Sequence, residues 1–448
     1  MSHDVRSFHL SRRSVLKSAI GAHLALAGAG AMRVGSAFAQ DAPPSTTLTS
    51  EEVTLNLYIE TGFDLPERLA NEFSRQYPNI TFDIRKDQFQ VITENGPRIM
   101  ASNDAPDMIR IPQVVGPAQD GLLLNLDPYF EAYGWSNWSQ SLLDQMRVGE
   151  DGIRGHGSLY GLGLGYNLTG VFYNKEQAAQ IGMSAPPATV AEFEALLEAA
   201  KGAGLLPIMQ FNDIGGLAFP YQALLNQFED PATIAAWIYQ QPDASFETAG
   251  AVKAAEYIAR WGEAGYFPDD VNAIDYTGMM GRFIGGEGVF MFNGDWESAN
   301  LDAGMAANAG FFLFPPEEAG SPFVAMSAPA SYVVPAKAKH PDEIVYFLNW
   351  AHTNDEARKI TVQTTGSSPG GPADLPIPPV TEGSVTAQTL EATNTLASGV
   401  AIDFVANATP GIYANAFRPE LQLLVAGREK PEDFVRKIQE SYEQELGR

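Results

Sequence analysis

Apolar and polar residues alternate at Val53, Leu55, Leu57 and Ile59, which predicts a β-strand. Asp64 then offers an N-cap with Pro66 in the first turn, and Leu69, Ala70, Phe73 and Tyr77 share one helical face. Pro78 ends that helix. Alternation returns at Ile80, Phe82 and Ile84, a helix follows over Ile92–Ala101, and Pro106–Ile111 reads as a third strand. The order βαβαβ predicts a parallel sheet with right-handed crossovers, whose ligands sit at the carboxyl ends of the strands. Those ends are Glu60-Thr61-Gly62-Phe63 and Arg110-Ile111-Pro112-Gln113.

Downstream, Ala188–Ala203 is amphipathic, with Phe193, Leu196, Leu197 and Ala200 on one face. Thr189 and Glu192 have the spacing of a capping box. Thr248–Glu263 reads as a helix ended by Gly265, and Leu421–Leu446 as two helices parted near Gly427. Pro369–Pro379 is rich in Pro and Gly and reads as a connector. Gly161-Leu162-Gly163-Leu164-Gly165 lacks GxGxxG spacing and opens no helix, so it reads as a segment crossing between two lobes rather than a nucleotide loop. No internal repeat is visible.

The amino terminus carries an address. Ser11-Arg12-Arg13-Ser14-Val15-Leu16-Lys17 matches a twin-arginine export motif, and an apolar stretch from Ala19 to Ala31 follows. That stretch is too short and too rich in Ala and Gly to span a bilayer. Ala37-Phe38-Ala39 fits a small-residue cleavage site, with the cut expected after Ala39. Residues 1–39 are thus expected to be a signal peptide and 40–49 a loose leader.

Composition narrows the chemistry. With 28 Lys and Arg against 54 Asp and Glu, the formal net charge is −26, which disfavours nucleic acid and anionic lipid as partners. The chain has no Cys, so disulfides, thiolate catalysis and an N-terminal lipid-anchoring Cys are excluded. His156, His340 and His352 are scattered and read as surface or helix-end residues, and no Gly-x-Ser-x-Gly elbow occurs. No metal or cofactor site is expected. Acidic residues are too numerous for any pair to mark a glycosidase. Phe292-Asn293-Gly294-Asp295-Trp296 is more informative. A Trp after a Gly turn either fills a core or presents its flat face to the C–H face of a sugar ring, while a carboxylate beside it takes hydroxyl hydrogen bonds.

Several segments together resemble the extracellular solute-binding proteins of family 1, the carbohydrate receptors of ABC importers related to maltose-binding protein. They are Val53–Phe63 with Leu69–Ile80, and Ala105-Pro106-Asp107-Met108. They also include Leu159–Leu162 running into Tyr166-Asn167 and Val171–Lys175, then Phe283–Trp296, Ala330–Ala351 and Phe417–Ala426. The resemblance covers about Glu52–Leu446. It implies an α/β periplasmic binding protein fold of type II, two lobes that each hold a mostly parallel sheet flanked by helices, joined by hinge crossovers. Lobe one would comprise 50–163 and 317–366, and lobe two 164–316 and 367–448.

The resemblance further implies a monomeric periplasmic receptor that closes on a sugar or oligosaccharide and delivers it to permease subunits, without catalysis. In lobe one, Glu60 and Arg110 would hydrogen-bond hydroxyls and Phe63 would stack, with Thr61, Gln113 and Tyr332 nearby. Tyr166 and Asn167 would meet the ligand at the crossover. Asn212, Asp295, Trp296, Gly366, Ser367 and Arg418 complete the expected pocket. Two alternatives stand beside this one. An exported carbohydrate-active enzyme would need two catalytic carboxylates. A receptor of the same fold could take a polyamine, to which acids and aromatics are suited, or a glycerol phosphodiester, for which only Arg110 and Arg418 offer charge.

Overall fold

The computed structural model describes residues 43–448 except Pro112, Ala373 and Ala397. The expected signal peptide, 1–39, and the first three leader residues lie outside the described residues. Among the described residues, ten strands occur in chain order: β1 (Val53–Glu60), β2 (Ile80–Asp87), β3 (Met108–Arg110), β4 (Arg147–Val148), β5 (Ser158–Leu159), β6 (Gly161–Asn174), β7 (Phe290–Gly294), β8 (Ala309–Phe312), β9 (Val324–Val333) and β10 (Val400–Ile402).

The alternating pattern at the amino terminus folds as expected. β1 pairs in parallel with β2 and β3, and helices Leu65–Gln76 and Phe89–Ala101 make the crossovers. Asp64 precedes the first helix, yet its carboxylate caps no backbone N–H, so Pro66 and the buried Leu65, Leu69, Ala70 and Phe73 set that helix. Thr189 caps helix Val190–Gly202 by accepting from Glu192 N at 3.1 Å. The Glu192 carboxylate returns to Ala188 N at 2.7 Å, one residue earlier than a capping box requires. Thr248 caps Ala249–Glu263 in the same manner.

The main sheet has the order β2-β1-β3-β9-β6-β7, with β10 on β9 and β8 on β6. Two long strands, β6 and β9, run antiparallel to each other and pass from one apolar core to another. Leu162 and Leu164 of β6 belong to a core built on β1–β3, while Val171 of the same strand belongs to a second core built on the helices that follow it. A third apolar cluster packs Met279, Met280 and Phe283 with Leu168 and Phe172. The glycine-rich stretch lies within β6, where the pairing register with β9 shifts between Gly163 and Tyr166. A Cβ at Gly163 would meet the Gly165 carbonyl and the Pro329 side chain, so this crossing excludes side chains at that point.

The second lobe departs from the expected parallel pattern: β7 and β8 both run antiparallel to β6. The pairing sets Thr169 opposite Gly294, so β7 ends back at the crossing point rather than at the far rim. That reversal carries Asp295 and Trp296 to the crossing of the two lobes. β3 likewise runs antiparallel to β9, with Arg110 opposite Tyr332.

Two buried charged side chains organise loops. Asp107 is buried, and its carboxylate accepts from Asn56 N (2.8 Å), Asn56 Nδ2 (3.3 Å), Lys339 N (2.9 Å) and His340 N (3.0 Å). It ties β1 to the entrance of helix Pro341–Thr353. Arg358 donates to the carbonyls of His352, Gly370 and Pro376 at 2.9, 2.6 and 3.2 Å, which orders the Pro- and Gly-rich connector. His352 sits in the last turn of its helix as expected but is not on the surface. It is buried against Trp138, with Nδ1 2.7 Å from the Pro369 carbonyl, because the connector folds over it. Among the described residues, no helix is long and apolar enough to cross a membrane.

Candidate functional site

The carboxyl ends of β1 and β3 bring Glu60 and Arg110 together, with Arg110 Nε 3.6 Å from Glu60 Oε2. Arg110 NH1 donates to the Ser331 carbonyl at 3.0 Å and to Ser331 Oγ at 2.8 Å, and its guanidinium lies 5.8 Å from the Tyr332 ring centroid. Burial pushes the Glu60 carboxyl above its ordinary range, and Arg110 opposes that shift. Tyr332 is fully buried in the sheet, and among the described residues its hydroxyl has no hydrogen-bond partner. Thr61 is exposed and Phe63 half-buried on the edge of the first core.

The crossing forms a second group. Asp295 is fully buried at the end of β7, and its Oδ1 accepts from Ser367 Oγ at 3.0 Å. Ser367 Oγ also lies 3.5 Å from Asn167 Oδ1. Among the described residues, the other carboxylate oxygen, Oδ2, meets no hydrogen-bond donor within ordinary distance. Burial raises the Asp295 pKa to about 7, against the lowering effect of Leu168, Ser367 and Trp296 hydrogen bonds. Tyr166 is buried beside this group, and its N–H donates to the Ser368 carbonyl at 3.0 Å.

The third group is a face of rings in the second lobe. Trp296 is partly exposed, and its Nε1 donates to Tyr276 Oη at 2.7 Å. That hydroxyl donates onward to Glu297 Oε1 at 2.7 Å, which fixes the indole plane. Gly294 is required beneath it, since a Cβ there would run into the indole ring. The Phe219 ring lies 6.0 Å from Trp296. Phe404 stacks on Phe219 at 5.5 Å and 12°, and Tyr413 meets Phe404 edge-on at 5.5 Å. All four rings are partly exposed. Tyr413 lies in a π-helical turn, Tyr413–Phe417, that runs into helix Arg418–Val425, an irregularity often found at functional sites. Arg418 is exposed at its start; burial and the Asp213 charge push the Tyr413 hydroxyl above its ordinary range, and Arg418 opposes them.

A hydrogen bond joins the loops that flank the first and third groups. Gln113 Nε2 donates to the Asn407 carbonyl at 2.8 Å, three residues beyond Phe404. Two expected residues are committed elsewhere. Asn212 is fully buried, donates to Asn272 Oδ1 at 2.7 Å and accepts from Leu217 N at 3.2 Å within the second lobe. Gly366 N donates to the Val362 carbonyl as the end of a helix, and its own carbonyl accepts from Thr389. Phe219, Phe404 and Tyr413 were not expected from the sequence. Phe219 lies inside a helix and looks there like one more core residue, Phe404 stands in irregular chain, and Tyr413 opens a short π-helical turn with no apolar periodicity to announce it.

An arrangement of flat apolar rings beside hydrogen-bonding carboxylate, amide and guanidinium groups suits a ligand with apolar faces and hydroxyl edges. Size of cavity does not locate this site. An open cavity of about 730 Å³ lies elsewhere, beside Asp302, Gln363 and Glu382, and there Asp302 is already occupied in capping Val385 and Thr386. Among the described residues, no cluster of three or more His, Asp or Glu is placed to hold a metal ion.

Solved structures share the architecture. A chitin oligosaccharide binding protein superposes with a TM-score of 0.73 at 20% identity, over 89% of this chain and all of the other. RafE in complex with raffinose gives 0.68 at 18%, over 88% and 99%. A substrate-binding protein of Listeria monocytogenes in complex with cycloalternan gives 0.68 at 15%, over 89% and 100%. At these identities the likeness is one of fold, the two-lobed mixed α/β fold of solute-binding proteins. No curated protein matches the sequence. Residues 68–381, more than half of the chain, match the family model of the bacterial extracellular solute-binding proteins, and the chain belongs to that family.

Proposed function

We propose that this protein is the periplasmic receptor of an ABC importer for a sugar or oligosaccharide, bound without catalysis between two closing lobes. The observation that carries the reading is the partly exposed run of rings Trp296, Phe219, Phe404 and Tyr413, whose 403–407 turn is hydrogen-bonded by Gln113 from the loop that follows Arg110. Sugar rings stack on such faces, and paired charges hydrogen-bond hydroxyls without demanding a net charge from the ligand. The structural relatives bound to raffinose and cycloalternan support the same class. In this reading the lobes are 50–163 with 317–366 and 164–316 with 367–448. The chain acts as a monomer, leaves the cytoplasm by the twin-arginine route, and hands its ligand to permease subunits. Glu60, Thr61, Phe63, Arg110, Gln113, Tyr166, Asn167, Asp295, Trp296, Tyr332, Ser367 and Arg418 line or support the site, with Asn212 and Gly366 behind it.

A thermal-shift screen against mono-, di- and oligosaccharides, polyamines and phosphodiesters tests this. A sugar at about 100 times its dissociation constant should add roughly 2.7 kcal/mol of stability and be recovered unchanged. Trp296→Ala should weaken that binding by about 1–3 kcal/mol while the protein stays folded. A response confined to polyamines or phosphodiesters removes the sugar, and consumption of the sugar makes the protein an enzyme.

A further inference from the structure

Arg154 and Asp403, 249 positions apart, form a buried ion pair with NH2 2.6 Å from Oδ2, both side chains 3% exposed. Neither residue belongs to the ring face, yet Asp403 immediately precedes Phe404. The pair is held from both sides. Arg154 Nε and NH2 donate to the Gln145 carbonyl at 3.2 and 2.8 Å, and Gln145 Nε2 donates to the Ser327 carbonyl of β9 at 2.9 Å. The Tyr239 ring lies 5.0 Å from the Arg154 guanidinium. Asp403 Oδ1 accepts from Phe404 N at 2.7 Å and Asn407 Nδ2 at 3.0 Å, which closes the 403–407 turn on itself.

Gln222 clamps the same turn from the second lobe. Its Nε2 donates to the Asp403 carbonyl at 2.8 Å and its Oε1 accepts from Val405 N at 3.0 Å. Gln113 takes the Asn407 carbonyl from the first lobe. The turn that carries Phe404 is therefore fastened to both lobes, and among the described residues its ionic fastening is Arg154–Asp403. A buried ion pair is a poor source of stability, because desolvation offsets most of the attraction, and in some proteins it serves instead to specify geometry.

We propose that Arg154 and Asp403 are positioning residues for the ligand site: their pair fixes the 403–407 turn so that the Phe404 ring stacks on Phe219 and completes the ring face. The proposal rests on the reading of that face as the ligand site. Its consequence is that affinity depends on a pair that touches no ligand, and depends on it through Phe404.

The test uses the full chain with raffinose, maltotriose and chitotriose as probes, followed by titration calorimetry. Arg154→Met with Asp403→Leu removes both charges together and leaves no lone buried charge, so the protein should fold. Asp403→Asn keeps the side-chain shape and an oxygen for Phe404 N but leaves the Arg154 charge unpaired, so its fold is checked first by circular dichroism. Each should bind the responding sugar at least tenfold more weakly than the parent. In a Phe404→Ala background, where affinity has already fallen, the same changes should add less than twofold. Unchanged affinity in the variants, or an equal further loss without Phe404, overturns the proposal. Hydrogen exchange separates it from the ligand reading. If no probe binds the parent protein, these three sugars are not its ligands and exchange alone decides the proposal. Faster exchange at 403–407 in the variants, with helix Ala218–Phe228 unchanged, would still uphold the fixing of the turn, and unaltered exchange there refutes it.

Discussion

Replacing Asp107 by Ala should destabilise the protein by about 3–5 kcal/mol, although the residue lies in neither the ring face nor the crossing. Its carboxylate accepts from three backbone N–H groups, those of Asn56, Lys339 and His340, and from the Asn56 side chain. A methyl group would leave these donors unpaired at a buried position, each costing about 1–3 kcal/mol. Asp107→Asn keeps the shape but turns one acceptor into a donor facing N–H groups, so its loss should be smaller than that of Ala and still above about 1 kcal/mol. Urea unfolding followed by circular dichroism measures both. A loss below 1 kcal/mol for Ala would mean that water or a shifted loop replaces the carboxylate.

The second large effect concerns Asp295. Burial raises its folded pKa to about 7, whereas an unfolded Asp ionises near 3.8. The folded protein therefore keeps the proton that the unfolded chain releases, and the associated stability is full below pH 3.8 and lost as pH rises to 7. At about 1.36 kcal/mol per pKa unit, the loss has an upper bound of roughly 4 kcal/mol. Asp295→Asn has nothing to ionise. It should gain on the parent protein by up to that amount between pH 4 and pH 8.

His352 works in the opposite direction. Burial lowers its pKa to about 4 from an ordinary 6.5, so its stability is full above 6.5 and lost as pH falls toward 4. In the parent protein the two slopes oppose each other between pH 4 and 6.5. The Asn variant should uncover the histidine and become distinctly less stable on acidification over that range. Denaturation midpoints taken at each pH unit from 4 to 8 check both effects. Parallel profiles for parent and variant would falsify the assignment of the proton to Asp295.

Much of the fold was legible because it is local. The alternation at Val53–Ile59 and Ile80–Ile84 fixes two parallel strands, and Thr189 and Thr248 announce their helices through hydrogen bonds that close within three residues. The antiparallel return of β7 was not legible, since nothing in Phe290–Gly294 states which neighbour it will pair with. The site divides along the same line. Glu60 and Arg110 follow strands whose ends could be read, and the structure sets them side by side. The ring face assembles Phe219, Trp296, Phe404 and Tyr413 from distant parts of the chain, and only the indole stands in a recognisable turn. Asn212 illustrates the converse: a polar residue after an apolar run looks like a ligand group, yet its amide is spent on Asn272 and Leu217.

The placement of β9 between β3 and β6 has a consequence for the order of events during folding. β3 receives its second neighbour from residues such as Ser331, 221 positions after Arg110, so the first lobe's sheet keeps an open edge while the intervening chain is synthesised. Pairing across so long a loop is slow, because the closure entropy must be met before any contact forms. The amino-terminal lobe, although made first, should therefore acquire protection from hydrogen exchange late, in step with the arrival of β9 rather than with its own helices. Refolding is expected to show a single slow phase in which both lobes appear together.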